Sequence, residues 1–360
     1  MRISVKYALV CVIVFAISMQ MASAQCTISL NKAEDEYDKG RLLDIPSRLK
    51  FCLERNGFSK EEKIRAYKLL TKVYIFSDQE GKAEESLVKL LKADPEHKLD
   101  DLFDPAELFY LYEKFRVEPI FRTSLRMGGN LTLPNVFESF SAFSQPLDAG
   151  LTATRDYSDQ LGFYLEGAIE RHIVKGIEVG LGVQYSQTSL DIQETFLGTD
   201  ILFNINESQR WLKFPVFGRY NFFYEGDKKK KFIPYVEAGG VFNYLLQATF
   251  VDSERSGGTQ RSVNGYDLLA QDERNRVLFS VFAGAGVKMR TNKVHFFTLE
   301  ARYEIGLRNY VNAENRFVNN ESVSGLSYVP DNLSLNFLTV SVGYTHSIYN
   351  PKKKRKVTSR

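Results

Sequence analysis

Ile177-Glu178-Val179-Gly180-Leu181-Gly182-Val183-Gln184-Tyr185-Ser186-Gln187-Thr188 is the stretch that decides the fold. Ile177, Val179, Leu181, Val183 and Tyr185 fall on one parity, and Glu178, Gly180, Gly182, Gln184 and Thr188 on the other. Successive side chains of a strand point to opposite faces, so a period of two describes a strand with one apolar and one polar face. The same split runs through Phe121–Leu133 and Leu161–His172. It returns around Leu212–Phe222, Pro234–Leu246, Phe279–Met289, Phe297–Leu307 and Leu338–Ile348, which makes eight strands.

Alternation alone fits a soluble sandwich or a membrane barrel. Connection lengths separate them. Long polar stretches occupy 134–160, 190–210, 248–275 and 310–332, while the remaining connections, near 173–175, 225–231 and 290–293, are short. Long and short connections in strict alternation along an even number of strands are the mark of an outer-membrane barrel. The sequence therefore predicts an eight-stranded antiparallel transmembrane β-barrel over 118–349, in the outer membrane of a Gram-negative bacterium, with outer-membrane lipid around it.

Arg122, Arg126, Glu166, Glu170, Glu178, Arg219, Glu237, Lys288, Glu300, Arg302, Glu304 and Arg308 all fall on the parity away from lipid. An eight-stranded interior is only wide enough to be filled by side chains. Buried charges need partners, so these residues are expected to form a neutralised ion-pair plug, a narrow ion or proton path being the functional alternative. Gly180, Gly182, Gly284 and Gly286 make room for the large partners, and Tyr220, Phe222, Tyr224 and Tyr349 suit an interfacial aromatic girdle. Pro215 within a strand points to a bulge.

Trp211-Leu212-Lys213-Phe214-Pro215-Val216-Phe217-Gly218-Arg219-Tyr220 resembles the strand with a mid-strand proline in PorT-type outer-membrane barrels of the Bacteroidetes. Phe232-Ile233-Pro234-Tyr235-Val236-Glu237-Ala238-Gly239-Gly240 resembles the strand that follows it. The resemblance covers 119–349 and implies a barrel fold and a membrane location. It leaves function open, because one fold hosts many roles.

Ahead of the barrel, Arg2 and Lys6, the apolar run Tyr7–Ile17 and Ala22-Ser23-Ala24 read as a signal peptide over 1–24. Cys11 leaves with it, so Cys26 and Cys52 form an even pair in an oxidising compartment, and a disulfide is expected. From 25 to 117 the apolar period is helical. Asp44 is placed to cap one helix, with Pro46 in its first turn and Asn56-Gly57 as its stop. Ser59-Lys60-Glu61-Glu62 is a capping box, Gly81 is read as a connection, and Asp104-Pro105-Ala106-Glu107 as a further cap. Ala66 to Pro95 resembles one tetratricopeptide repeat. The helical domain is placed in the periplasm as a repeat-like module, with an ordinary small bundle as the alternative.

Hydrophobic residues make up 44% and charged residues 25%, which excludes a disordered chain, and Lys+Arg 47 against Asp+Glu 44 gives no ground for a nucleic-acid partner. Basic residues gather only locally, at Lys228, Lys229, Lys230 and Lys231 and in a tail over 350–360 that carries Lys352, Lys353, Lys354, Arg355 and Lys356. They are read as a periplasmic cationic collar, although Pro351–Val357 also matches a basic nuclear-import signal. His97, His172, His295 and His346 have no neighbouring serine and acid that would make a catalytic triad. No catalytic residue, metal or cofactor is expected. The function read from the sequence is a non-enzymatic outer-membrane anchor whose helical domain binds protein partners, as in a secretion or envelope-assembly complex. A lipid-modifying barrel enzyme and a small-solute channel are the alternatives.

Overall fold

A computed structural model describes residues 24–140, 153–174, 176–196, 202–223, 230–257, 260–291, 294–317, 326 and 328–354. The signal-peptide reading, apart from Ala24, lies outside these residues. The chain divides into two compact units, one made of residues up to Pro119 together with those from Tyr349 onward, the other of Ile120–Ile348.

The first unit is helical: α1 (24–38), α2 (Ile45–Glu54), α3 (Lys60–Phe76), α4 (Glu80–Ala93) and α5 (Ala106–Glu113). A disulfide joins Cys26 on α1 to Cys52 on α2. Around it Leu30, Ala33, Ile45, Leu49, Phe58, Ala66, Leu69 and Val73 form a buried core. Cross-linking a loop of this size contributes about 3 kcal/mol in the chain-entropy account. Ser59 opens α3 with both capping-box bonds, its Oγ accepting from the Glu62 N–H at 3.2 Å and its own N–H donating to Glu62 at 2.8 Å. The other expected caps differ. Asp44 makes no side-chain bond to α2, and Gly81 lies inside α4 rather than in a connection. Asp104 does not cap α5, because its carboxylate is already engaged by Lys68 and Lys72 on α3 at 2.6 and 2.7 Å.

The second unit holds β1 (Phe121–Glu138), β2 (Ala153–Asp159), β3 (Leu161–Val174), β4 (Ile177–Phe196), β5 (Leu202–Asn221), β6 (Phe232–Phe250), β7 (Ser253–Ser256), β8 (Arg261–Val263), β9 (Val277–Arg290), β10 (His295–Gly306) and β11 (Asn332–Ile348). Eight of them close a ring in the order β4-β3-β1-β11-β10-β9-β6-β5, with β4–β5 completing it, and each pairing is antiparallel. The chain enters at Ile120 and leaves at Ile348, which bond to each other at 2.9 Å, so this end is the terminal rim.

Several stretches read as loops are sheet. β4 and β5 stay in register as far as Thr195 opposite Leu202, so 190–210 is mostly strand. β2 lies along β4, and β7 along the start of β5. The reason is a reversal of polarity. In β4 the outward residues Val179, Leu181 and Val183 are exposed and apolar, whereas the outward residues beyond Tyr185 are Gln187, Ser189, Asp191, Gln193 and Thr195. The inward residues change the opposite way, from Glu178, Gln184, Ser186 and Thr188 to Leu190 and Ile192, with Glu194 beyond them buried and paired to Arg155 at 2.7 Å. β5 reverses at the same level, since Tyr185 faces Leu212 and Gln187 faces Arg210. Below that line the barrel is apolar outside and polar inside, as lipid demands; above it the sheet is apolar inside and polar outside, as water demands.

Pro215 interrupts one ladder without a bulge. Leu181 pairs with Val216 and Gln184 with Lys213, leaving Gly182 and Val183 unpaired opposite the residue that has no N–H. Gly182 is small for the same reason, because a Cβ there would stand 3.0 Å from the proline ring.

The polarity reversal fixes the cost of charge. Leu181→Arg, mid-belt and outward, is expected to destabilise the lipid-embedded barrel by about 2–4 kcal/mol, and Gln193→Arg, also outward but above the belt, by roughly 0–1 kcal/mol. Denaturant unfolding in lipid vesicles measures both.

Candidate functional site

Within the lower half of the barrel, below the reversal, Arg122, Arg126, Lys213, Arg219, Lys288 and Arg302 face Glu166, Glu170, Glu178, Glu237, Glu300 and Glu304, all buried. Strands that are not neighbours are tied directly. Arg302 on β10 reaches Glu166 on β3 at 2.7 Å, and Lys288 on β9 reaches Glu178 on β4 at 2.6 Å. Arg219 bridges Glu170 at 2.7 Å and Glu237 at 2.8 Å, while Arg126 is bonded to both Glu166 and Glu170. Arg302 also holds Glu237 and Glu300, at 2.5 and 2.6 Å, and Tyr235 donates to Glu300 at 2.6 Å. Such charge-assisted, multiply bonded pairs offset the desolvation that an isolated buried charge would suffer.

Phe217 sits among the cations, with the guanidinium carbons of Arg219, Arg126 and Arg302 at 5.1, 5.3 and 5.6 Å from its ring centroid. Its ring occupies the space left by Gly180, where a Cβ would come within 2.3 Å of it. Beside Arg302 and Glu304 a void of about 10 Å³ remains, lined also by Gln184, Pro215, Val241, Phe282 and Thr339. That is at most the room of one water.

Arg308 is the exception among the expected network residues. β10 ends at Gly306, so Arg308 lies past the strand, exposed, with its guanidinium over Phe279 at 5.3 Å. Lys213 was not singled out by the sequence reading, yet it is buried and bonded to Glu304 at 3.0 Å. It shares its parity with Arg219, which was the available signal. Above the reversal Trp211, Leu245, Phe250, Leu268, Tyr310, Tyr328 and Phe337 join one apolar core. Arg274 crosses it to Glu207 at 2.7 Å, and Tyr310 donates to the same carboxylate. Glu207, Phe250, Leu268, Arg274, Tyr310 and Tyr328 sit in stretches read as loops, so no periodicity marked them. Tyr220 and Phe222 meet edge to face at the terminal rim, 5.5 Å between centroids, while Tyr224 lies outside the described residues.

The helical unit carries a groove of about 460 Å³. Tyr67, Leu70 and Tyr74 of α3 form its floor; Pro46, Lys50 and Leu53 of α2 and Lys82, Glu85 and Lys89 of α4 form its walls. Lys82 lies 5.7 Å from the Tyr74 ring centroid. Asp104 ties α3 to the segment before α5. Burial alone would raise its pKa, but the Asp100 N–H and the ammonium groups of Lys68 and Lys72 outweigh burial and hold it below the usual aspartate value. Burial, reinforced by Asp94 and Glu96, pushes the Tyr112 phenol up to about 12.

The described part of the basic tail is not a free collar. Lys352 accepts from the Arg116 N–H at 3.0 Å, Lys354 donates to the Lys114 carbonyl at 2.7 Å, and the Lys353 side chain is bonded to Glu84. Tyr349, expected in the girdle, instead donates to Glu96 at 2.8 Å. Backbone groups of an extended segment after the last helix pair with the tail, which explains why it docks. Lys230 and Lys231 lie over Phe223 and Phe232 at 4.7 and 6.0 Å, whereas Lys228, Lys229, Arg355 and Lys356 lie outside the described residues. His97 stands 3.4 Å from Asp94, His172 is half-buried near the end of β3, and His295 and His346 lie side by side at the terminal rim.

Three outcomes follow from this geometry. Arg219→Met leaves Glu170 to Arg126 and Glu237 to Arg302, so each carboxylate loses one of its bonded cations, and is expected to cost about 3 kcal/mol, whereas Lys213→Met with Glu304→Leu is expected to cost less than Lys213→Met alone. The fluorescence of Trp211, the chain's one tryptophan, reports both in urea titrations. For Asp104 the folded pKa lies below the unfolded one, so its stabilisation is present above about pH 4 and is lost as pH falls through the depressed value. Asp104→Asn is expected to lower the helical melting midpoint at pH 6, with the difference vanishing at acid pH, followed by circular dichroism at a helical wavelength.

Residues 122–312, more than half of the chain, match the family described as "Outer membrane protein beta-barrel domain". No curated protein sequence matches the chain. Among solved structures, OprG from Pseudomonas aeruginosa is 13% identical with a TM-score of 0.35, covering 64% of this chain and 98% of its own. Neisserial surface protein A is 11% identical with a TM-score of 0.33, covering 63% and 97%. The outer membrane enzyme PagL is 13% identical with a TM-score of 0.28, covering 63% and 99%. With its closed ring of eight strands and a family match that spans most of that ring, the chain belongs to the outer membrane β-barrel domain family.

Proposed function

We propose that this protein is a non-enzymatic outer-membrane adaptor, in which the barrel is the anchor and the helical unit, in the periplasm, binds a protein partner. The observation that carries the reading is the groove of the helical unit, about 460 Å³, against a void of about 10 Å³ beside Arg302 and Glu304 among the described residues of the barrel. A floor of Tyr67, Leu70 and Tyr74 between walls bearing Lys50, Lys82 and Lys89 as well as Glu54 and Glu85 suits an extended segment with an apolar side chain flanked by charges of both signs. The PorT-like strands around Pro215 and Pro234 favour a Bacteroidetes secretion or envelope-assembly complex as the setting. On this reading the barrel interior serves as a rigid ion-paired plug and the disulfide holds the adaptor in an oxidising compartment.

The test is crosslinking and affinity capture from membranes of three forms: the wild-type chain, Lys50→Glu/Lys82→Glu/Lys89→Glu, and a deletion of 26–117. A partner held by the wild type and lost from both variants, with barrel insertion unchanged, is the expected outcome. Partners that persist in both variants, or conductance or altered lipid A arising from the barrel alone, would overturn the reading.

A further inference from the structure

His295, the first residue of β10, and His346, near the end of β11, are direct register partners across the sheet. Both lie on the outward parity near the terminal rim, half-buried, one step past the exposed apolar Phe297 of β10 and one step before the exposed Ile348 that ends β11. Their Nδ1 atoms are 3.2 Å apart while their ring centroids are 5.0 Å apart, so the two nitrogen-bearing edges point at each other. Tyr344 Oη stands 2.6 Å from the same His295 Nδ1, and its ring lies at 5.5 Å with planes inclined by 22°. Two polar atoms thus converge on one nitrogen that has a single lone pair or a single proton to offer. A lipid-facing position gives no reason for two imidazoles to meet in this way.

We propose that His295 and His346 form a binding site for one borderline transition-metal cation, Zn²⁺ or Cu²⁺, at the terminal rim. The separation of the nitrogens is the argument. With metal–nitrogen bonds of about 2.0–2.1 Å, nitrogens 3.2 Å apart subtend roughly 100° at the metal, close to the tetrahedral angle. The cation replaces the proton the two rings would otherwise share, and neutral imidazole suits zinc and copper. Among the described residues no group of three or more His, Cys, Asp or Glu side chains is arranged around a metal, so water completes the coordination. The Tyr344 ring stacks against the His295 ring, and its hydroxyl proton turns away when the cation takes the Nδ1 lone pair. A two-imidazole site is expected to bind in the micromolar range and to leave an exchangeable face toward headgroups or water.

The experiment uses the mature full-length chain without a polyhistidine tag, folded in detergent, with Cu²⁺ as the probe. One equivalent is expected to bind at micromolar free copper, with an electron paramagnetic resonance spectrum showing two coordinated nitrogens. His295→Gln and His346→Gln, each on the outward face and outside the ion-paired interior, are each expected to weaken binding at least tenfold while Trp211 fluorescence and heat-modifiable migration stay unchanged. His97→Gln/His172→Gln is expected to retain the site. Copper binding that is absent from the wild type, or that survives in His295→Gln/His346→Gln, would overturn the proposal.

Discussion

A sheet that crosses lipid has to close on itself, because no water is there to satisfy an open edge, and with eight strands closure leaves an interior that side chains must fill. The rest of this barrel follows from that constraint. Strand alternation gives the interior every second residue, and among the described residues there six cations and six carboxylates stand with Phe217 and neutral side chains such as Tyr164, Gln184 and Tyr235. Apolar filling would leave the strands greasy on both faces and poorly soluble on the way to the membrane. Charged filling keeps one face polar but is stable only if nearly every charge is bonded more than once, as Arg219, Arg126 and Arg302 are.

The same constraint sets the height of the charged layer. Above the level of Tyr185 and Leu212 the outer face meets water, so the interior no longer needs to hold the polar residues. There the sheet turns into an ordinary water-soluble β structure with Trp211, Phe250 and Tyr328 at its core. Its strands continue because β2 and β7 pair along β4 and β5. Membrane and soluble halves thus share strands but have opposite insides.

The barrel was legible in the sequence because its signal is redundant: eight segments each carry the period, sharpest in Ile177–Tyr185, and the alternation of long and short connections separates a barrel from a sandwich. The charge network was legible for the same reason, since parity sorts residues to the lumen before any contact is known. Arg308 misled because parity says nothing about where a strand ends. The upper half was read as loops because its polar residues face outward, and a polar stretch looks like a connection when the level of the lipid boundary is unknown. The docking of Lys352 to Arg116 and the helical groove depend on residues far apart in sequence, which no local period records. Asp104 looked like a cap because only the fold brings Lys68 and Lys72 to it.

The central claim is that lipid contact ends where the polarity of β4 reverses. Nitroxide labels placed one at a time at residues 177 to 195 of the folded barrel in lipid vesicles test it most directly, through collision rates with oxygen and with a water-soluble nickel chelate. The account predicts high oxygen and low nickel access at the outward sites 179, 181 and 183. It predicts the reverse at 189, 191 and 193, and low access to both reagents at the inward sites 184 and 190. Oxygen access that stays high at 189–193, or nickel access at 184 equal to that at 191, would contradict it.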